Sequence, residues 1–128
     1  MEDRTNPAGP TAAQRRAASE LISESRAATA RLIESLSRTW DGVVEASALT
    51  ANDDEHDPEG ATVAFERAQL RDMLKQARSD LDDLDRAAQR VQTGDYWVCE
   101  SCGGPIPAAR LTARPTARTC IACARTRK

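Results

Sequence analysis

Two apolar stripes at helical spacing, an acidic interval between them and two CxxC pairs near the C-terminal end predict a mainly α protein. The expected architecture is an antiparallel coiled-coil helical hairpin with a small C-terminal four-cysteine zinc finger. In the 128-residue chain, apolar residues reach 40% but Phe65, Tyr96, Trp40 and Trp97 are the only aromatics, and charged residues make up 30%. That balance suits long amphipathic helices better than a deep globular core. No apolar run approaches the roughly 20 residues of a membrane span, so no membrane contact is expected.

The chain divides into an expected disordered lead-in over 1–10, a coiled-coil hairpin over 11–94 with an acidic tip near 52–60, and a zinc finger with a basic tail over 95–128. Pro7, Gly9 and Pro10 deny the lead-in any periodicity. Thr11-Ala-Ala-Gln14 fits a capping box, in which a hydroxyl and an amide satisfy free backbone groups at a helix start. From there Leu21/Ile22, Ala28, Leu32/Ile33, Leu36, Trp40 and Val43/Val44 recur mostly at three- and four-residue steps, one apolar stripe. Gly42 interrupts it at ~1 kcal/mol relative to Ala.

The second helix carries a heptad seam: Leu70, Leu74, Ala77, Leu81, Leu84, Ala88 and Val91 alternate steps of four and three. Asp57-Pro58 suits its start and Gly94 its end. Two single stripes of ~30–35 residues each, ~45–50 Å long at 1.5 Å per residue, should pack on one another.

Between them Asn52-Asp-Asp-Glu-His-Asp-Pro-Glu59 holds five carboxylates, no Lys or Arg, and the chain's histidine, His56. A solvated turn kept soluble by charge is one reading. A tip whose crowded acids meet a cationic or metal-bearing partner is the other, with Asp53, Asp54, Asp57 and Glu59 as the partner-binding residues. Calcium is a poor fit, because the oxygen-ligand spacing and central glycine of a helical-hand loop are missing.

Cys99-x₂-Cys102, then 17 residues, then Cys120-x₂-Cys123 has the spacing of a structural zinc site. Four thiolates leave no position open to water, so one Zn²⁺ here should be structural rather than catalytic. A redox role for either pair lacks the strand–helix context of a thioredoxin. No Ser/His/Asp or Cys/His set accompanies the cysteines, and an enzyme is not expected.

Net charge is −2 overall. Residues 95–128 hold six Lys/Arg against Asp95 and Glu100, and four thiolates with one zinc would remove two of those four positive charges. That is a weak footprint for nucleic acid. Strong direct nucleic-acid binding is therefore not expected, although a zinc ribbon contacting phosphates through Arg125-Thr-Arg-Lys128 is the alternative function. The segment Met1–Pro7 lacks the basic and apolar parts of a signal peptide, which makes the expected location cytoplasmic.

Gly94-Asp-Tyr-Trp-Val-Cys-Glu-Ser-Cys-Gly-Gly-Pro-Ile106, Arg110-Leu-Thr-Ala-Arg-Pro-Thr116 and Cys120-Ile-Ala-Cys123 closely resemble the DksA/TraR family of four-cysteine zinc-finger proteins. The stretch from Asp53 to Gln69 is similar to the turn and second helix of its actinobacterial-type members. The resemblance implies a transcription regulator that binds RNA polymerase, inserting the coiled-coil tip into the secondary channel towards the catalytic centre. Against the family's Asp-x-x-Asp-x-Ala tip pattern, Asp54 and Asp57 match and Glu59 stands where Ala is expected, while a register starting at Asp57 puts Gly60 and Thr62 at the other two positions. The usual Tyr-Gly before the first cysteine is Tyr96-Trp97. Of the basic positions that members responsive to guanosine tetraphosphate use, Arg110 and Arg114 are kept, while Asp83 and Ala124 replace two others. A nucleotide response is not expected.

Overall fold

The computed structural model describes residues 9–50 and 58–126. Helix α1 spans Ala12–Thr50 and helix α2 spans Pro58–Thr93, 39 and 36 residues. A 3₁₀ turn at Asp95–Trp97 and two short helices, α3 (Ala108–Ala113) and α4 (Ile121–Thr126), follow. Among the described residues there is no strand, only an antiparallel bridge between Val98 and Pro105. The lead-in over residues 1–8 and the acids Asp53, Asp54 and Asp57 lie outside the described residues; Glu59 falls in the first turn of α2.

The helix ends follow local chemistry. At α1 the Gln14 amide nitrogen donates to Thr11 Oγ1 at 3.0 Å, and the Thr11 amide donates to Gln14 Oε1 at 2.7 Å. Each partner thus satisfies a backbone donor that the first turn leaves free. Pro58 opens α2 where a missing N–H costs nothing. Gly94 closes it with φ +88°, donating its amide to Val91 O at 3.3 Å. That left-handed conformation is unfavourable for any residue with a Cβ.

The chain forms two compact units: Met1–Arg26 with Asp82–Lys128, and Ala27–Leu81. In each, α1 packs antiparallel on α2, which makes the helical hairpin. Within Ala27–Leu81 the core is Leu36, Leu74 and Ala77, flanked by Ile33, Trp40 and Leu70. Within the other unit, Ala18 and Ile22 of α1 meet Leu84, Ala87 and Val91 of α2 in a cluster that continues into Tyr96, Cys99, Ile106, Leu111 and Ala117.

Neighbouring apolar positions resolve differently from a broad stripe. Ile33 and Val43 turn inward, whereas Leu32 and Val44 are exposed, and Thr29 is more covered than Ala28. On α2, Ala87 is more buried than Ala88. A seam against one partner helix is narrower than the apolar face that a sequence window detects, so only one of two adjacent residues can face it.

Two stability outcomes follow. Leu74 is buried and Met73 beside it is 48% exposed. Leu74→Ala should cost about 2–4 kcal/mol in chemical denaturation, with Met73→Ala within about 0.5 kcal/mol of wild type. Gly42 lies inside α1 with nothing within 4 Å of an added Cβ. Gly42→Ala should therefore raise stability by up to about 1 kcal/mol, read as a higher denaturation midpoint.

Candidate metal centre

The four cysteines converge from two knuckles. Cys99 and Cys102 flank a turn closed by the Gly103 amide donating to Cys99 O at 2.9 Å. Gly103 holds φ +77°, so this turn favours glycine. The Gly104 amide donates to Cys102 Sγ at 3.4 Å, and the Cys99 amide donates to Gly104 O at 2.7 Å. The second pair rides on α4: Cys120 precedes it, Cys123 lies within it, and the Ala124 amide donates to Cys120 O at 2.9 Å.

Several contacts hold the knuckles in place. The Glu100 amide donates to Arg118 O at 2.9 Å, tying the first knuckle to the approach of the second. Arg110 Nε donates to the carbonyl of buried Thr119 at 2.8 Å, next to Cys120. Tyr96 is buried and its hydroxyl donates to Pro115 O at 2.8 Å. Burial raises its pKa above the ordinary value, against the nearby Arg90 charge, and so keeps the phenol a donor. Arg90 donates to Asp95 O and Val98 O at 2.8 and 2.9 Å. Arg15 donates to Val91 O at 3.1 Å and lies 5.8 Å over the Trp97 ring, which stands edge-on to Tyr96. Trp97 thus links the finger to the start of α1.

All four sulfurs lie within 4.8 Å of one another, and Cys102 and Cys120 Sγ are 3.9 Å apart. Tetrahedral zinc with Zn–S bonds of about 2.3 Å sets its sulfurs about 3.8 Å apart, so the donor set fits zinc. The chemistry agrees. Burial opposes ionisation of Cys99, but hydrogen bonds from the Cys102, Cys120 and Ser101 amides and from the Cys102 side chain outweigh it, and the thiol is lowered to about 6. Cys123 moves the other way: contacts with the Cys120, Cys99 and Cys102 sulfurs, then burial, push it up to about 12. Thiols this close cannot all shed their protons unless a cation takes their place.

The sequence reading named the four cysteines that the structure brings together, but not their supports. Arg15, Arg90 and Arg110 act over separations of 76, 5–8 and 9 residues, which no local pattern marks. An arginine in the last turn of α2 was the one available signal, since cations suit helix C-termini. Arg110 spends its Nε proton inside the finger.

A helical hairpin joined to a four-cysteine metal knuckle defines a zinc-finger protein. Residues 93–128 match the prokaryotic dksA/traR C4-type zinc finger. This segment of the chain is thus similar to the zinc finger of the DksA/TraR family. It is 43% identical over 44 residues to an uncharacterised protein of Aquifex aeolicus, covering 34% of this chain and 30% of that protein. It is 50% identical over 40 residues to the RNA polymerase-binding transcription factor DksA of Caulobacter vibrioides, covering 31% of this chain and 28% of that one. The chain thus spans less than a third of the length of these two curated relatives. The fold is similar to that of transcription factor DksA2 from Pseudomonas aeruginosa, with a TM-score of 0.78 and 24% identity over 95% of this chain and 88% of that one.

Zinc loading should release protons. Near neutral pH Cys123 still holds its proton, which the metal must displace, whereas Cys99, lowered to about 6, is already ionised. Below about pH 6 Cys99 protonates too, so zinc affinity should fall more steeply with falling pH there. Titrating reduced, metal-free protein with zinc in a weakly buffered indicator solution checks this; no proton release would contradict it.

Proposed function

We propose that this protein is a transcription regulator, not an enzyme, that binds RNA polymerase through the secondary channel with its acidic hairpin turn directed at the catalytic centre. The observation that carries this reading is a dksA/traR-type finger on a helical hairpin whose fold matches a DksA2 transcription factor over nearly the whole chain. The name of the Caulobacter relative, an RNA polymerase-binding transcription factor, supports the partner. Helix α1 ends at Thr50 and α2 begins at Pro58, so the acidic segment Asn52–Glu59 covers most of the connection and the first residues of α2. Its five carboxylates suit a destination lined with basic residues and metal.

In this reading Cys99, Cys102, Cys120 and Cys123 hold one structural Zn²⁺. The ion contributes on the order of 10–16 kcal/mol to folding a segment with little core of its own. When bound, it supplies cross-linking and charge neutralisation; the chain's own residues make the contacts with polymerase. The hairpin and finger supply affinity, and Asp53, Asp54, Asp57 and Glu59 act beyond them on the catalytic centre. The protein works in the cytoplasm, without strong DNA binding of its own and without a response to guanosine tetraphosphate.

The test is binding to purified RNA polymerase, repeated with the secondary channel blocked, together with the triple change of Asp54, Asp57 and Glu59 to Ala. Blocking should abolish binding. The triple variant should fold and bind within about tenfold of wild type, a loss of ~1.4 kcal/mol or less, yet lose its effect on transcription from sensitive promoters. A triple variant with full effect on transcription would remove the tip from the mechanism. Strong, salt-sensitive DNA binding without polymerase would favour the direct nucleic-acid reading instead.

A further inference from the structure

Trp40 of α1 is half-buried against Leu36, Leu74 and Ala77. Two guanidiniums of α2 lie over its ring: Arg67 and Arg71, each 5.6 Å from the ring centroid. The arginines stand four residues apart on one helix, a spacing at which like charges repel. Among the described residues neither makes an ion pair, and Arg67 Nε is buried without a hydrogen-bond partner. A buried guanidinium N–H left without an acceptor is costly, and one arginine or a neutral side chain would cover the indole without that cost. Among the described residues the pair has no counter-charge, and its setting is acidic: residues 27–81 hold six Lys/Arg against eleven Asp/Glu, a net −5.

We propose that Arg67 and Arg71, held on the Trp40 indole, form a docking site for a carboxylate side chain of a protein partner. A guanidinium presents a planar fork of donors that matches a carboxylate in two parallel hydrogen bonds. Stacking on an indole pre-orients that fork, so less freedom is lost on binding. The ring edge offers apolar surface beside the charge, the pairing of Trp and Arg that dominates binding hot spots. A nucleic-acid backbone is the poorer occupant, because its line of phosphates would run past a segment of net −5. A single carboxylate reaches the arginines without that repulsion. The site deepens the function proposed above and rests on it, since the carboxylate is assigned to RNA polymerase.

The test compares wild type, the double variant Arg67→Gln/Arg71→Gln, and Arg71→Gln and Arg71→Glu alone, each full-length and zinc-loaded, for binding to purified RNA polymerase at low and raised salt. The double variant should lose at least about tenfold in affinity and show a weaker salt dependence, and Arg71→Glu should lose more than Arg71→Gln. Helicity and melting are measured alongside. If the double variant does not fold, the exposed Arg71 single variants decide the matter, because Arg67 still covers Trp40 in them. Affinities within about twofold of wild type, whatever the change in melting temperature, would reduce the arginines to a cover for Trp40 and overturn the site while leaving polymerase binding intact. A loss of affinity for DNA or RNA with polymerase binding unchanged would overturn the choice of a carboxylate. Wild-type protein that fails to bind polymerase at all would overturn both this site and the function it rests on.

Discussion

Four sulfur atoms within 4.8 Å of one another are the constraint around which the C-terminal part of this chain is arranged. Without a cation the cluster resists full ionisation, and the opposite shifts of Cys99 and Cys123 are the electrostatic record of that conflict. A divalent ion removes it by replacing protons with charge. The surrounding chain then has to hold two knuckles at tetrahedral spacing. It does so with a left-handed glycine, a tyrosine anchored to Pro115 and an arginine anchored beside Cys120.

Cys99 is also a core residue. It is buried in the same cluster as Ile22 of α1 and Leu84, Ala87 and Val91 of α2, with Cys120 and Cys123 packed against it. The metal site and the adjoining parts of the long helices therefore share one interior. The knuckles and these helix segments pack together in that unit, so a metal bound at the four sulfurs would stabilise both. A chain poor in aromatics gains from this, because Tyr96 and Trp97 place two of its largest side chains beside the cysteine knuckles.

The arginines divide by what they face. Arg15, Arg90 and Arg110 end on backbone carbonyls at the helix end, in the 3₁₀ turn and in the finger. Arg26 pairs with Asp85 at 2.7 Å with both side chains nearly half exposed, a contact that solvent and salt weaken. Among the described residues Arg67 and Arg71 form no ion pair, and both guanidiniums lie over an indole face. The first group assembles the protein; the last forms the proposed docking site.

By itself, the sequence determined the elements and the four cysteines that cluster. Heptad spacing, the Thr11–Gln14 capping box, Pro58 and Gly94 are local signals, each read within a turn or two, and the helix bounds follow them. The two CxxC pairs name all four sulfurs because each knuckle is a local turn and thiolates in this number have few other uses. The tertiary structure alone decided which member of an adjacent apolar pair faces the partner helix, as with Ile33 over Leu32 and Ala87 over Ala88. It alone seated Trp97 against Arg15 and set two arginines over Trp40. These choices depend on which residues meet across the hairpin, at separations such as the 76 residues between Arg15 and Val91. A period in the sequence encodes the face of a helix, but not what that face will meet.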